Sequence, residues 1–501
     1  MGLEAGGSHS RILRSTAVMG GASVANVALS VVRSKAIAVL LGPQGVGLMG
    51  LYNSIADLAQ ALGALGIHEA GVRQVAEAAG EGDEDRIART ARVLRWASLA
   101  LGMLGAGLLV ALSVPVAHLT FGDGQHAAGV ALLSAAVFFR LLAGGQGALL
   151  QGMRRIGDLA RISVVGSLFG TLVSIPMVYL LGEDGIVPSL VAMAAFSFLV
   201  SWWYARGIGT GLRDLSRTAI GVEATALLRL GLAFMASTLL SVASAYAVRI
   251  IVMAHEGAAG AGFYQAAWAL GGIYAGFILQ AMGTDFYPRL TAAAGDNTAC
   301  NRLVNEQAHV GLLLAGPGVI ATLVLAPLVV RIFYTPEFYP AADLLRWICL
   351  GMMLRIVAWP MGFIVIAKGA RMTFICTELA ASAVHVGLAW MFVGEFGAVG
   401  AGAAFLALYV WHAILIYLVV RRMSGFRWSS ANVRLMLAFL PACCAVFAGF
   451  FLLPAWQANA LGLVVAASGG IYSLSALLTL VPAESLPRAV RRWLPVTNPG
   501  A

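Results

Sequence analysis

Residues Thr16 to Ile67 read TAVMGGASVANVALSVVRSKAIAVLLGPQGVGLMGLYNSIADLAQALGALGI, two apolar segments that meet at Gly42-Pro43. Each is long enough to cross a bilayer, which takes about 20 residues. The first carries Arg33 and Lys35 inside its span. A charge at mid-helix costs roughly 2.5–3.5 kcal/mol on insertion, so it persists where it faces protein or water. Ser23, Asn26, Ser30 and Arg33 follow at steps of three, four and three, one face of a helix. Asn53, Asp57 and Gln60 make a similar stripe on the second segment. The two stripes predict helices that wall a polar cavity.

The rest of the chain obeys the same constraint. Of 501 residues 60% are apolar and only 11% charged, where a soluble chain carries about 25%. A polytopic membrane protein follows, all α-helical. The net charge of +9 is read against topology and does not imply nucleic acid. The five cysteines show neither metal spacing nor a disulfide framework, so no metal or cofactor is expected. The first ten residues lack the pattern of a cleaved signal peptide, and the first helix is expected to remain.

Hydropathy predicts fourteen spans, at 14–41, 45–67, 94–116, 127–150, 160–181, 186–205, 226–254, 260–283, 308–330, 342–366, 374–393, 399–420, 434–453 and 460–481. The charged stretch Glu69–Arg92 is expected to form an amphipathic surface helix. With both ends cytoplasmic, 25 of the 32 Lys and Arg fall on the inner side, Arg331 alone in an outer loop, and six within spans. Cytoplasmic loops collect cations, so this asymmetry sets the orientation. Four divisions are expected: an N-terminal lobe at 1–206, a cytoplasmic linker at 207–225, a C-terminal lobe at 226–420, and two extra, peripheral spans with a tail at 421–501.

An internal repeat links the lobes. LLGPQGVGLMGLYNSI (Leu40–Ile55) is similar to AHEGAAGAGFYQAAWAL (Ala254–Leu270) at an offset near 215. LLQGMRRIGDLARI (Leu149–Ile162) is similar to VIAKGARMTFICTE (Val365–Glu378) at nearly the same offset. Six spans separate the copies, which predicts parallel pseudo-symmetry with a central site. Arg249 maps next to Arg33 and Arg355 close to Arg140, so four in-span arginines form two pairs expected to line a cationic cavity.

At this point the sequence resembles the polysaccharide transporter family, the Wzx-type flippases of lipid-linked oligosaccharides. These belong to the multidrug/oligosaccharidyl-lipid/polysaccharide exporter superfamily. The resemblance rests on VVRSKAIAVLLGPQGVGLMGLY (Val31–Tyr52), LLQGMRRIGDLA (Leu149–Ala160) and DFYPRL (Asp285–Leu290) followed by TAAAGDN. It implies translocation of an undecaprenyl-diphosphate-linked repeat unit across the bacterial inner membrane by alternating access, for O-antigen or related surface polysaccharide. A monomer is expected, with the lipid-linked oligosaccharide and membrane lipids as partners, and polymerase or assembly proteins beyond them.

Residue chemistry fits that implication. Guanidinium meets phosphate with two parallel hydrogen bonds, where ammonium acts as a point charge. Arg33, Lys35, Arg140, Arg249 and Arg355 are the candidates for the diphosphate, and Asn26, Asn53 and Gln60 for the glycan. Tyr52, Tyr246, Tyr264, Gln265 and Trp268 are also available to sugars, or to plain packing. Asp57 and Glu378 are candidates for H+ or Na+ coupling, or for static pairing with an arginine. A peptidoglycan lipid-precursor flippase and a multidrug or cation antiporter are the alternatives on the same fold. A drug exporter would favour acids in its spans, and basic residues dominate here. A membrane glycosyltransferase would need a large outer loop; the longest here, Arg331–Ala341, is short, so no enzyme is expected.

Overall fold

A computed structural model of the chain describes residues 2–208 and 217–480. Residues 209–216 of the expected linker, the basic tail and the side chains of Arg11, Arg14 and Asp285 lie outside the described residues. Among the described residues the regular elements are helices. They are α1 (Gly2–Ala64), α2 (Ile67–Glu81), α3 (Glu84–Ala111), α4 (Ser113–Phe121), α5 (Ala127–Gly152), α6 (Ile156–Leu181) and α7 (Ile186–Ala205). There follow α8 (Arg217–Ala292), α9 (Asn297–Phe333), α10 (Pro340–Ala367), α11 (Arg371–Phe396), α12 (Ala398–Ser424), α13 (Ser430–Leu452) and α14 (Ala455–Leu480).

Eleven helical segments among the described residues are long and apolar enough to cross a membrane. Three of them, Gly21–Ala64, Ile156–Ala205 and Thr238–Ile273, hold 44, 50 and 36 residues. At about 1.5 Å per residue, 20 residues already cover the roughly 30 Å of hydrocarbon.

The expected spans 14–41 and 45–67 are one helical run, α1, broken at Gly42 (φ 62°, ψ −167°). Glycine takes that positive φ without a Cβ penalty, and Pro43 then starts the next helical turn, where its missing N–H costs nothing. Spans 226–254 and 260–283 likewise form α8, broken at Gly257 (φ 67°, ψ −170°). The stretch expected to be a surface helix is two helices that meet at Asp83, whose carboxylate accepts the Arg86 N–H at 2.8 Å. The first of them, α2, buries Ile67, Ala70, Gly71, Gln74, Val75 and Ala78. Its Ile67 and Val75 share a core with Leu94 of α3 and Ala148–Leu150 of α5, so α2 is packed into the protein.

The repeat is written in the backbone. Left-handed residues recur at a constant interval of 215: Gly42 and Gly257, Arg154 and Gly369, Gly182 and Gly397. Hydrogen bonds follow the same interval. Arg155 N–H reaches Leu150 O at 2.9 Å, and Ala370 N–H reaches Val365 O at 3.1 Å.

Two compact units result. One holds Met1–Ala267, Val330–Leu344 and Glu378–Ala404; the other holds Trp268–Val329, Leu345–Thr377 and Phe405–Ala501. In the second unit, Asn432 of α13 is fully buried. It donates to the Asn305 carbonyl of α9 at 2.8 Å, and its Oδ1 lies 3.0 Å from His309 Nδ1. Phe439 of α13 packs on Gly316 of α9, and Gly462 of α14 on Val324. Of the two C-terminal helices, expected to be peripheral, α13 is tied into this unit's core, whereas α14 keeps most of its large apolar side chains exposed.

Candidate functional site

Beyond Gly42, α1 divides two spaces within the first unit. Asp57, Gln60 and Ala64 line a polar cavity of about 390 Å³, together with His68 and Glu69 of α2, Arg140 and Gly144 of α5, and Thr238 of α8. Ile55, Leu58 and Leu62, on another face of the same segment, line an apolar groove of about 230 Å³ with leucines of α3 and α4. A helical period near 3.6 places these two sets on different sides.

The centre of the polar cavity is the Arg140 guanidinium. Its Nη1 donates to Asp57 Oδ1 at 2.8 Å and its Nη2 to Asn53 Oδ1 at 2.9 Å. Asn53 and Asp57 sit one helical turn apart on α1, so their oxygens stack along one face. The Asn53 amide is oriented for this, because its Nδ2 donates to Met49 O at 3.0 Å. The Arg140 side chain is 23% exposed and Asp57 56%. Such an exposed pair contributes at most about 1 kcal/mol and is readily exchanged. Beside it, His68 Nδ1 donates to the Gly144 carbonyl at 2.9 Å, which leaves Nε2 as an acceptor in the neutral ring.

The remaining predicted residues have other surroundings. Asn26 donates to Ser163 Oγ of α6 at 2.7 Å. Arg33 is half-buried against Gly170 of α6 and has no hydrogen-bond or ion-pair partner among the described residues. Lys35 Nζ donates to the carbonyls of Arg331, at 2.7 Å, and Tyr334. It thereby caps the C-terminal end of α9, where orphan carbonyls favour a cation. Arg249 donates to Gln265 Oε1 and Ala245 O, both at 3.1 Å, and lies 5.8 Å from the centre of the Tyr264 ring. In the second unit Arg355 lies 5.9 Å from the Tyr409 ring. Glu378 is half-buried on α11 and does not line the polar cavity.

The structure therefore gathers Asn53, Asp57, Gln60 and Arg140, gives Asn26, Arg33, Lys35, Arg249 and Glu378 other surroundings, and assigns Arg355 to the second unit. Of the aromatic candidates, Tyr52 and Tyr264 are core residues. Tyr246 bonds Thr120, and Trp268 meets the Phe405 ring edge-on. His68, Glu69 and Thr238 were not among the predicted site residues. The visible signal was the polar pair His68-Glu69 directly after an apolar run, which hydropathy assigns to the surface.

A multi-pass helical bundle with a polar, arginine-bearing cavity inside it has the architecture of a membrane transporter. The inward-facing conformation of a multidrug resistance MATE family transporter of the MOP superfamily superposes with a TM-score of 0.66, at 17% identity, over 81% of this chain and 94% of that one. Lipid II flippase MurJ, in an inward closed conformation, gives a TM-score of 0.64 at 12% identity, over 93% of this chain and 98% of that one. The family model described as Polysaccharide biosynthesis protein matches residues 36–343, and the chain belongs to that family. The Lipid III flippases of Escherichia coli (strain K12) and Shigella flexneri are each 24% identical to it over 401 residues, 77% of this chain and 94% of theirs. The resemblance drawn from Val31–Tyr52, Leu149–Ala160 and Asp285–Leu290 holds.

Proposed function

We propose that this protein flips undecaprenyl-diphosphate-linked oligosaccharide units across the bacterial inner membrane, by alternating access, for surface polysaccharide synthesis. The observation that carries this reading is the two-faced segment of α1, with Arg140 in a polar cavity on one side and an apolar groove on the other. A lipid diphosphate has the same two natures. The family match and the flippase relatives support the substrate class. In this reading Arg33, Arg140, Arg249 and Arg355 contact the diphosphate along its path, Asn26, Asn53 and Gln60 contact the glycan, and Asp57 and Glu378 bind the coupling H+ or Na+. Gly21–Ala64, Ile156–Ala205 and Thr238–Ile273 each belong to a helical run that crosses twice, which brings the crossings to fourteen with both termini cytoplasmic. The protein works as a monomer and hands its cargo to polymerase or assembly proteins.

A second reading, a peptidoglycan lipid-precursor flippase, has the support of the fold shared with MurJ. Both cargoes carry the diphosphate, and genetics separates them. The chain is expected to restore surface polysaccharide in a flippase-null strain and not to rescue cells depleted of the peptidoglycan flippase. The Arg33→Ala, Arg249→Ala double variant is expected to lose most export at normal membrane abundance. Full complementation by that variant would overturn the anionic-lipid reading.

A further inference from the structure

We propose that Asp57 and Asn53 occupy the place of the substrate's phosphate on Arg140, and that arriving diphosphate displaces Asp57, whose freed carboxylate then binds the coupling cation. This rests on the flippase reading above. The geometry points to it directly. The two terminal nitrogens of Arg140 hold two oxygens from two different side chains, at 2.8 and 2.9 Å. That is the pattern of bonds a guanidinium makes to two oxygens of one phosphate. Asp57 and Asn53, one turn apart, reproduce it with acceptors that move away independently.

Charge balance supplies the coupling. The charged or titratable residues lining the cavity are Asp57, Glu69, His68 and Arg140. When diphosphate takes the Arg140 fork, Asp57 loses its cation next to an added negative charge. Among the described residues the cavity offers no Lys or second Arg to replace it. A small cation entering beside the 56%-exposed Asp57 replaces the positive charge that Asp57 has lost. Substrate and cation then strengthen each other's binding by the same factor, as linkage requires. Among the described residues the device is found once. At the repeat interval, Gly272 and Trp268 stand where Asp57 and Asn53 stand, and Arg355 faces the Tyr409 ring instead of an acid.

The test uses the full chain, purified into nanodiscs, with farnesyl diphosphate as probe, titrated calorimetrically at low and at saturating Na+ and at two pH values. Wild type is expected to bind more tightly as Na+ or H+ rises. Asp57→Asn removes the competitor and its cation site, so it is expected to bind about fivefold more tightly at low cation and to lose the cation dependence. Arg140→Gln is expected to lose binding while its melting temperature stays near wild type. Asn53→Ala vacates the other nitrogen and should also tighten binding, with the cation dependence kept; it stands in should Asp57→Asn fail to accumulate. If wild type binds the probe and Asp57→Asn keeps the wild-type cation dependence, or if Asn53→Ala weakens binding, the displacement is wrong and the flippase reading survives. If wild type does not bind farnesyl diphosphate at all, the flippase reading fails and takes the displacement with it.

Discussion

Gly47 and Gly262 each lie against the other's helix at the same point of the repeat. A Cβ on Gly47 would overlap the Ala258 carbonyl oxygen, and one on Gly262 would overlap the Pro43 carbonyl oxygen. Both glycines and both carbonyls are 215 residues apart, so the α1–α8 crossing is symmetric under the repeat. Gly47→Val and Gly262→Val are each expected to cost about 1–3 kcal/mol, because backbone cannot yield as a flexible side chain does. The double variant should cost less than the sum, since the first substitution has already parted the helices. Thermal unfolding in detergent checks both statements.

Lys35→Met is expected to lower stability by about 2 kcal/mol, because it leaves the Arg331 and Tyr334 carbonyls without their charged donor. Farnesyl diphosphate affinity should stay unchanged. A melting curve and a binding isotherm on one preparation check this. Lost affinity at unchanged stability would place Lys35 in the substrate path.

Asn432→Ala breaks the bonds to Asn305 and abandons His309 in a buried place. The expected cost is about 2–3 kcal/mol. Hydrogen exchange should rise first at the start of α13, where the Asn432 N–H is capped by Ser429 Oγ at 3.2 Å. Uniform loss of protection over α9 to α12 instead would show that α13 is not a separate opening unit.

Reporter fusions at Gly122, Asp184 and Glu395 are expected to report periplasm, and those at Gly80, Gly211 and Ser424 cytoplasm. Two of the described sites are natural turns: Gly122 ends α4 in a left-handed conformation, and Asp184 lies in the short turn between α6 and α7. Two or more reversals among the six would overturn the orientation.

Apolar runs, in-span arginines and the glycine-marked repeat were legible in the sequence because each is a local pattern at a fixed spacing. The interval of 215 seen in LLGPQGVG and AHEGAAGAG reappears in backbone angles at Gly42 and Gly257. The Arg140–Asp57 pair was legible only as two candidates, since 83 residues separate them and no spacing rule joins different helices. Lys35 reads in sequence as a cavity residue, because a lysine inside an apolar run looks the same whether it meets a phosphate or two carbonyls. The Asn305, His309 and Asn432 network that ties down α13 carries no periodic signature at all.

The two halves keep one register at their backbone breaks, although α1 turns at Leu65-Gly66 where α8 runs on to Ala292. The turns at Gly42 and Gly182 are as far apart in the chain as those at Gly257 and Gly397. A doubled carrier begins with twin anion forks, and twins would bind cargo alike. Here Gly272 stands at the place of Asp57, so the forks differ: Arg140 has an acid beside it, and Arg355 a phenol ring. Gly272→Asp would be the shortest route to a protein with an acid at this place in both halves.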